Sequence, residues 1–122
     1  MGKILIADDQ LGVRTLLVEI FQDDQHDVKT AENGEEALRI FIDFKPELIV
    51  LDMKMPVMNG LEALRKIRVL DSQVAVIMMT AYGDIETMDT AKGLGILYFI
   101  AKPFDLFELR DRVSKIFLEI AS

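Results

Sequence analysis

Short apolar runs alternate along the chain with longer segments in which apolar residues recur every three or four positions. Four nearly continuous apolar runs cover residues 3–7, 48–51, 74–79 and 97–101. Runs of this length without alternating polar residues are typical of strands that are buried on both faces of a parallel sheet. A short strand, the second in chain order, is predicted at residues 28–31, between the first two helices.

The segments between these strands carry the spacing of amphipathic helices. Val13, Leu17 and Phe21 follow one helical stripe in the first of them. Asn33 is a suitable N-cap for the second helix, and Pro46 is a stop signal after it. The predicted helices lie around residues 13–21, over 34–44, around 61–67, over 84–94 and over 105–120.

Five strand–helix pairs joined by short connections predict a doubly wound α/β domain. Right-handed crossovers place helices on both faces of a five-stranded parallel sheet. The order of such a flavodoxin-like sheet is 2-1-3-4-5, and its ligand site lies at the switch point between strands one and three. We expect one stand-alone domain over residues 1–122, because no segment for an output domain follows the fifth helix.

The composition excludes several classes of protein. Hydrophobic residues make up 51% and charged residues 29% of the 122 residues, as in globular domains. The net charge of −7 and the lack of a basic run argue against nucleic-acid binding. No apolar run approaches the roughly 20 residues that cross a bilayer, and the chain has no cysteine. We therefore expect a cytoplasmic protein without disulfides, membrane contact or a nucleic-acid partner.

Four of the strands are followed by polar residues that suit a cation or a phosphate. Asp8 and Asp9 follow the first strand, Asp52 the third, Thr80 the fourth and Lys102 the fifth. Because ligands bind beyond the carboxyl ends of parallel strands, these side chains should converge at one edge of the sheet. The pattern predicts an acidic cluster with one hydroxyl and one amine, which is a site for a divalent cation and a phosphoryl group.

The acidic cluster predicts a magnesium site. Carboxylates held together repel one another, and a hard divalent cation relieves that repulsion. Mg²⁺ suits carboxylate, water and phosphate oxygens, and we expect Mn²⁺ to substitute for it. We expect Asp9 and Asp52 to bind the ion directly and Asp8 to act through a water. The backbone carbonyl of Lys54 is placed to complete the shell. The alternative for Asp9 is that it only caps the first helix.

Asp52 is the candidate nucleophile for the phosphoryl group, which it would hold as a mixed acyl phosphate. Lys102 can pair with one phosphoryl oxygen, and Thr80 can donate a hydrogen bond to another. The alternatives are that Thr80 satisfies a local backbone group and that Lys102 is an ordinary solvated lysine. His26, the only histidine, lies in a polar turn, where we expect it to be exposed to solvent.

The first helix is apolar over a wider arc than burial in a core requires. Leu11, Val13, Leu16 and Val18 extend its apolar stripe well beyond ~100°, and its first turn follows the acidic pair. Phe104 follows Lys102 at the same edge, so that apolar residues surround the site. This pattern suggests a docking surface for a helical partner. The alternative is that Val13 and Leu16 are simply buried.

These residues resemble those of response-regulator receiver domains over the whole chain. The matching positions are the acidic pair Asp8-Asp9, the phospho-acceptor Asp52, the hydroxyl of Thr80 and Lys102-Pro103. Met55-Pro56 and Asn59-Gly60 also match, and Phe99 falls at the aromatic switch position. Residues 8–14, 51–54, 79–83 and 101–105 resemble the single-domain phosphorelay members of that family that act in sporulation. Phe99 stands where we expect those members to carry histidine.

The resemblance implies a phosphorelay function. Such members accept a phosphoryl group from a sensor histidine kinase and pass it to a histidine phosphotransferase, which is a limited phosphotransferase activity. Aspartyl-phosphate phosphatases are further implied partners, and a monomer is the implied state. In the implied switch, Thr80 moves toward the phosphoryl group, Phe99 fills the vacated space and the fourth helix moves. The implied docking residues are Gln10, Gly12, Val13, Leu16, Pro103 and Phe104.

Two long side chains at the rim of the site bear on the lifetime of the phosphate. Lys54 and Tyr82 lie two residues after Asp52 and Thr80, where they could exclude hydrolytic water, as a relay protein requires. One alternative function is a chemotaxis-like regulator whose phosphorylated surface binds a target protein. Another is a metal-dependent phosphatase, which would need a second aspartate where Lys54 stands.

Overall fold

The computed structural model describes residues 2–80 and 85–121, in which strands and helices alternate. The strands are β1 (Lys3–Ala7), β2 (Asp27–Ala31), β3 (Leu48–Asp52), β4 (Ala75–Thr80) and β5 (Tyr98–Ala101). The helices are α1 (Leu11–Asp23), α2 (Gly34–Phe44), α3 (Gly60–Leu70), α4 (Ile85–Gly93) and α5 (Leu106–Ala121). None of these helices has both the length and the apolar content that a membrane span requires.

The five strands are parallel and lie in the order β2-β1-β3-β4-β5. The predicted flavodoxin-like sheet is therefore confirmed. Ala7 pairs with Leu51, and Leu51 pairs with Met78, so that the ends of three neighbouring strands are nearly level. The residues that end or follow β1 and β3 therefore lie side by side at the carboxyl edge of the sheet.

Asparagine caps begin two of the helices. The Asn33 side chain accepts a hydrogen bond from the backbone N–H of Glu36 at 2.8 Å, and the Asn59 side chain accepts one from Glu62 at 2.9 Å. Each bond satisfies an N–H group that has no partner within its own helix. Lys45 ends α2 in the left-handed conformation, with a φ of 52°. The predicted bounds and cap of α2 are confirmed.

Aspartate side chains explain where β4 and α5 differ from the prediction. Val74 lies before β4, because its N–H donates to the Asp71 carboxylate at 3.0 Å in a turn. Asp105 lies before α5, because its carboxylate accepts hydrogen bonds from the N–H groups of Phe107 and Glu108. β2 begins one residue earlier and β5 one residue later than predicted. The predicted fourth helix is observed as α4, although its first predicted residue lies outside the described residues.

The sheet separates two hydrophobic cores, because successive residues of a strand point to opposite faces. The core under α2, α3 and α4, here called the α2–α4 core, includes Leu5, Phe41, Leu64, Val76 and Ala91. The core under α1 and α5, here called the α1–α5 core, includes Ile4, Leu17, Phe21, Ile77 and Val113. The predicted helices on both faces of the sheet are confirmed.

His26 is half-buried, and its predicted exposure to solvent is wrong. Its ring lies 4.5 Å from that of Phe117 and 6.4 Å from that of Phe21, measured between centroids. Its Nδ1 accepts a hydrogen bond from the backbone N–H of Gly2 at 3.2 Å. Phe117 belongs to α5 and packs over the turn that carries His26, and this long-range contact leaves no trace in the polar sequence around the histidine.

Part of the apolar arc of α1 is exposed. Leu11 and Leu16 are 68% and 41% exposed, whereas Val13 is half-buried. Arg14 is buried in the first turns of the helix and occupies space that a purely apolar stripe would have filled. The alternative that Val13 and Leu16 are both buried is therefore wrong for Leu16.

Candidate functional site

The polar residues predicted at the strand ends converge at the carboxyl edge of the sheet. Asp8 follows β1, Asp52 ends β3, Thr80 ends β4 and Lys102 follows β5. Asp8, Asp52 and Thr80 are buried, whereas Asp9 is exposed. A buried carboxylate needs a charged or hydrogen-bonding partner to offset its loss of hydration, and the partners here come from other strand ends.

Lys102 is the shared partner of two of these carboxylates. Its Nζ lies 2.6 Å from Oδ2 of Asp8 and 3.2 Å from Oδ2 of Asp52. It also donates to the side-chain oxygen of Gln10 at 3.4 Å. Burial alone would lower the pKa of Lys102, but the hydrogen bond to Asp8 and the charge of Asp52 outweigh burial, and the pKa is raised. The alternative of an ordinary solvated lysine is wrong. The Lys102-Pro103 peptide bond is cis.

Asp52 has a raised pKa. Burial is the largest cause and the neighbouring charge of Asp8 adds to it, while the charge and hydrogen bond of Lys102 act in the opposite direction. The backbone N–H of Lys54 approaches Oδ1 of Asp52 at 3.5 Å. A buried, basic carboxylate with an ammonium on one oxygen is suited to attack an electrophile, because it is a better nucleophile than a solvated one.

The three aspartates could hold a metal ion. One carboxylate oxygen from each of Asp8, Asp9 and Asp52 lies within 4.8 Å of the others. A set of carboxylate oxygens with exposure on one side fits Mg²⁺, which prefers oxygen ligands and retains waters. Both Asp8 oxygens are engaged, since Oδ2 pairs with Lys102 and Oδ1 accepts from the N–H of Gln10 at 2.8 Å. The contacts of Asp52 are longer, since its Oδ2 lies 3.2 Å from the Lys102 Nζ and its Oδ1 lies 3.5 Å from the Lys54 N, and Asp9 is exposed.

Asp9 does not cap the first helix. Gln10 occupies the N-cap position of α1, and within the described residues no side chain bonds to the first turn there. The alternative for Asp9 is wrong, because three residues separate β1 from α1 and the last of them, Gln10, holds the N-cap position. The exposed carboxylate of Asp9 is left to face the site.

Arg14 is a residue of the site that the sequence did not single out. Its guanidinium, buried beneath the acidic pair, donates to the backbone carbonyl of Asp8 at 2.8 Å and to the Glu32 carboxylate at 3.3 Å. These bonds hold the turn that carries Asp8 and Asp9 and place a buried positive charge next to the end of β1. The available signal was a basic residue on the apolar stripe of the first helix, three residues before Leu17.

Thr80 and Phe99 lie on one face of the sheet. The Thr80 hydroxyl donates to the thioether sulfur of Met53 at 3.7 Å, and both residues are buried. Phe99 pairs with Met78, which is two residues before Thr80 and so points to the same face. Phe99 is half-buried against the α2–α4 core.

Glycines shape the loop between β3 and α3. The Gly60 N–H donates to the carbonyl of Met53 at 2.9 Å, and a Cβ at Gly60 would lie 2.1 Å from the carbonyl oxygen of Asp52. The loop can therefore close over the end of β3 only with glycine at this position. Lys54 is exposed within the loop. Tyr82, the other residue predicted to control phosphate lifetime, lies outside the described residues.

The predicted docking residues surround the same edge. Gln10, Gly12 and Pro103 are exposed, and Phe104 is half-buried against the α1–α5 core. A Cβ at Gly12 would meet no atom within 4 Å, so that its backbone is open to an approaching chain. With Val13 and Leu16, these residues form the surface that we call the α1 rim: Gln10, Gly12, Val13, Leu16, Pro103 and Phe104. Their contact with a partner stays a prediction.

Comparison with known proteins places this site in a family. The model of the response regulator receiver domain matches residues 4–114. Sporulation initiation phosphotransferase F of Bacillus subtilis is 47% identical over 93% of this chain and 91% of its own length. The chemotaxis protein CheY of Halobacterium salinarum is 33% identical over 93% of this chain and 95% of its own.

A solved structure shares the fold as well as the sequence pattern. The CheX–CheY–BeF3–Mg²⁺ complex of Borrelia burgdorferi contains a chain that superposes with a TM-score of 0.87 at 30% identity. The alignment covers 95% of this chain and 89% of that one. The chain described here belongs to the response regulator receiver domain family, and it is a receiver domain of two-component phosphorelay signalling.

Proposed function

We propose that this domain is a phosphorelay intermediate that carries a phosphoryl group on Asp52. A sensor histidine kinase donates the group, and a histidine phosphotransferase receives it. The observation that carries the proposal is the buried Asp52 carboxylate at the end of β3, 3.2 Å from the Lys102 ammonium. The 47% identity to the sporulation phosphotransferase supports a relay in sporulation initiation.

The transfer exchanges one bond to phosphorus for another. A carboxylate oxygen of Asp52 attacks the phosphorus of a phosphohistidine, and the P–N bond breaks in line as the O–P bond forms. The histidine nitrogen leaves with the bonding electron pair. Lys102 offsets the negative charge that the phosphoryl oxygens bring to the buried edge. The reverse exchange delivers the group from Asp52 to a histidine of the phosphotransferase.

Asp8, Asp9 and Asp52 are the residues that would hold Mg²⁺, with the carbonyl of Lys54 as a further ligand. A bound Mg²⁺ supplies positive charge that lowers the repulsion between the carboxylates and the phosphoryl oxygens. The Mg²⁺ in the complex of the related Borrelia burgdorferi chain supports this assignment. Mn²⁺ prefers the same oxygen ligands and should substitute for it.

Thr80 and Phe99 form the proposed switch. In the resting protein the Thr80 hydroxyl donates to the sulfur of Met53, which is a weak acceptor. A phosphoryl oxygen on Asp52 is a stronger acceptor, so that phosphorylation favours a position of Thr80 closer to Asp52. Phe99 then fills the space that Thr80 leaves. The phosphate shifts a population between two states, with α4 as the moving element.

The α1 rim is the proposed contact surface for partners. Its exposed apolar residues lie beside the acidic site, where a helical bundle could bring its histidine to Asp52. The same surface would serve the kinase, the phosphotransferase and aspartyl-phosphate phosphatases. We include in the proposal that the domain acts alone, which the match over 91% of the length of the sporulation relative supports. A monomeric state is a further part of the proposal.

The alternative function is a chemotaxis-like regulator that binds a target protein when phosphorylated. The observation in its favour is the 33% identity to a chemotaxis CheY that the chain matches over 95% of its length. The two functions differ in the required lifetime of the phosphate. A relay protein must keep the group until its acceptor arrives, whereas a transient output switch must lose it quickly.

The deciding experiment measures phosphoryl lifetime and onward transfer. The protein is loaded with Mg²⁺ from acetyl phosphate or a kinase, with Asp52→Asn as the control that should remain unlabelled. A lifetime of many minutes to hours, followed by rapid transfer to a histidine phosphotransferase, supports the relay. Decay within seconds without transfer supports the chemotaxis-like alternative. Labelling of Asp52→Asn to the wild-type level would contradict both.

The lifetime should depend on Lys54 and Tyr82. We propose that their side chains exclude hydrolytic water from the acyl phosphate, because neither is a carboxylate or amide that would orient water. Replacing both with alanine should shorten the lifetime severalfold without lowering the rate of loading. Unchanged decay in the double variant would rule this contribution out.

A further inference from the structure

One arginine of α3 binds four backbone carbonyls. Arg68 donates from Nε to the carbonyl of Leu94 at 2.6 Å and from Nη2 to that of Gly95 at 3.2 Å. Its Nη1 donates to the carbonyls of Val74 at 2.8 Å and of Asp71 at 3.3 Å. A single guanidinium thus joins the chain just after α3, the chain entering β4 and the chain just after α4.

Three of these carbonyls, those of Asp71, Leu94 and Gly95, lie just beyond the C-terminal ends of two helices. α3 ends at Leu70 and α4 ends at Gly93, so that Arg68 bonds to residues directly beyond each end. The last carbonyls of a helix have no partner within it and carry partial negative charge. A guanidinium offers five N–H donors in one plane, which suits several carbonyls at once, whereas an ammonium cannot match that arrangement.

Besides Arg68, side-chain packing and turn hydrogen bonds hold the C-terminal end of α4. Leu94 and Ile96 pack partly against the α2–α4 core, and the Leu94 N–H donates to the carbonyl of Ala91 at 3.0 Å. Among residues 87–93, Ala91 is the only one that is fully buried, and Met88 packs partly against the α2–α4 core. Gly95, with a φ of 79°, reverses the chain toward β5. Arg68 holds the backbone of this reversal through its hydrogen bonds. The N-terminal end of α4, by contrast, comes soon after Thr80, the last residue of β4.

We propose that Arg68 is a positioning residue that fixes the C-terminal end of α4, so that the switch turns α4 about a pivot at Leu94 and Gly95. The proposal rests on the proposed function, because it concerns how α4 responds to a phosphoryl group on Asp52. Val74 directly precedes β4, and Thr80 ends it. A change at the carboxyl edge therefore reaches the first turn of α4, while Arg68 holds the last turn in place.

Hydrogen exchange of backbone amides tests the pivot. The probe is Mg²⁺ with beryllofluoride, which mimics a phosphoryl group on aspartate, applied to the wild type, Arg68→Gln and Arg65→Gln. Arg65 is an exposed arginine of the same helix and controls for the lost charge. In the wild type, exchange should change over residues 85–90 and stay within about twofold over 91–97.

Loss of the pivot should alter the exchange of residues 91–97 in the resting protein. We expect at least a tenfold increase there in Arg68→Gln, and the response to beryllofluoride should extend into the same residues. Arg65→Gln should behave as the wild type. Two results would overturn the proposal. One is a response of the wild type to beryllofluoride that already covers residues 91–97. The other is amide exchange in Arg68→Gln equal to that of the wild type, even if the Tm of the variant falls.

Arg68→Lys covers the case in which Arg68→Gln does not fold. It keeps the charge but cannot reach four carbonyls, so exchange over residues 91–97 should rise by a smaller factor, about threefold or more. Exchange equal to that of the wild type in this variant would also overturn the proposal. If the wild type shows no response to beryllofluoride at any residue, that result contradicts the proposed function instead. The role of Arg68 is then judged from the resting variants, because their increase in amide exchange is measured without the probe.

Discussion

At the scale of single residues, Lys102 determines the charge balance of the site. It pairs with Asp8 at 2.6 Å and with Asp52 at 3.2 Å, and its side chain is mostly shielded from solvent. Charge-assisted hydrogen bonds in such surroundings are stronger than exposed ion pairs. The pKa of Asp52 is nevertheless raised, because burial and the charge of Asp8 outweigh the lysine. The resting site therefore holds more negative charge than its own cation offsets.

Removing the charge of Asp52 should stabilise the domain without Mg²⁺. Asp52→Asn replaces a buried carboxylate of raised pKa with a neutral amide of similar shape, and we expect the Tm to rise by a few degrees, which corresponds to about 1 kcal/mol. Mg²⁺ should raise the Tm of the wild type more than that of the variant. Thermal unfolding with and without Mg²⁺ measures both effects.

Asp43→Asn is the matched control, because Asp43 is an exposed aspartate in the last turn of α2. Its neighbour Phe44 accepts a hydrogen bond from Lys3 at the start of β1, which is the edge of the sheet opposite the acidic cluster. This variant should keep the wild-type response to Mg²⁺. Equal Mg²⁺ stabilisation of Asp52→Asn and the wild type would show that Asp52 does not contribute to binding the ion.

His26 should make stability depend on pH. Burial is the largest cause that lowers its pKa below the ordinary value of 6.5, although the charges of Asp24 and Glu47 oppose it. The folded state therefore favours the neutral ring, so its contribution is present above pH 6.5 and is lost as the pH falls through the lowered pKa.

Urea unfolding between pH 7.5 and 5 measures this effect. The free energy of unfolding should fall toward acid pH with a slope of at most about 1.4 kcal/mol per pH unit, the limit for one proton. His26→Gln keeps an acceptor for the Gly2 N–H and should show a flatter profile. An identical slope in the variant would assign the pH dependence to other groups.

At the scale of elements, the loop between β3 and α3 combines close packing with backbone strain. Gly34 donates its N–H to the carbonyl of Met58 at 2.8 Å, so that the start of α2 holds this loop from outside. Val57 has a φ of 68° and is 76% exposed. A β-branched residue is strained in the left-handed region, and here its side chain gains little burial to offset the strain.

Val57→Gly should therefore stabilise the domain. Glycine adopts positive φ without strain, but it also gives the unfolded chain more conformational freedom. After this entropic cost is subtracted, we expect the free energy of unfolding to rise by about 0.5–1 kcal/mol. Val69→Gly is the control, since Val69 is 86% exposed within α3. There the same substitution should cost about 0.5–1 kcal/mol. Urea unfolding of both variants is the measurement, and a destabilised Val57→Gly would contradict the strain.

Elements were predictable where their signals are local. The apolar run of β1 and the Asn33 cap of α2 depend on neighbouring residues, and the predicted bounds agree with the structure. The buried state of His26 and the clamp by Arg68 depend on residues more than 20 positions away in the chain. Local patterns carry no information about such partners, because only the packed fold brings them together.

At the scale of the whole molecule, the order of the strands explains why the site could be predicted. The position of β1 next to β3 places Asp8 beside Asp52 once the sheet order is known, and that order is a common one for doubly wound sheets of five strands. Arg14 was missed for the opposite reason. A single basic residue in an apolar helix is usually solvated, and its bond to the carbonyl of Asp8 appears only when the turn after β1 is in place.

The two cores should respond independently to mutation. Ile67 belongs to the α2–α4 core and Ile116 to the α1–α5 core. Each Ile→Val change should cost about 0.5–1.5 kcal/mol. Because the sheet lies between them, the double variant should lose the sum of the two within about 0.5 kcal/mol. Urea unfolding of the two single variants and the double variant tests this, and a larger deviation would indicate coupling through the sheet.

The separation of the cores also bears on how such a domain can diverge. Residues of the α1 rim pack, where they pack at all, against the α1–α5 core, whereas α4, Phe99 and Met53 pack against the other core. Substitutions that adapt the α1 rim, the proposed contact surface, to a new partner should therefore leave the packing around the proposed switch undisturbed. Partner choice and response to phosphate can be inherited, duplicated and altered as separate traits of one small fold.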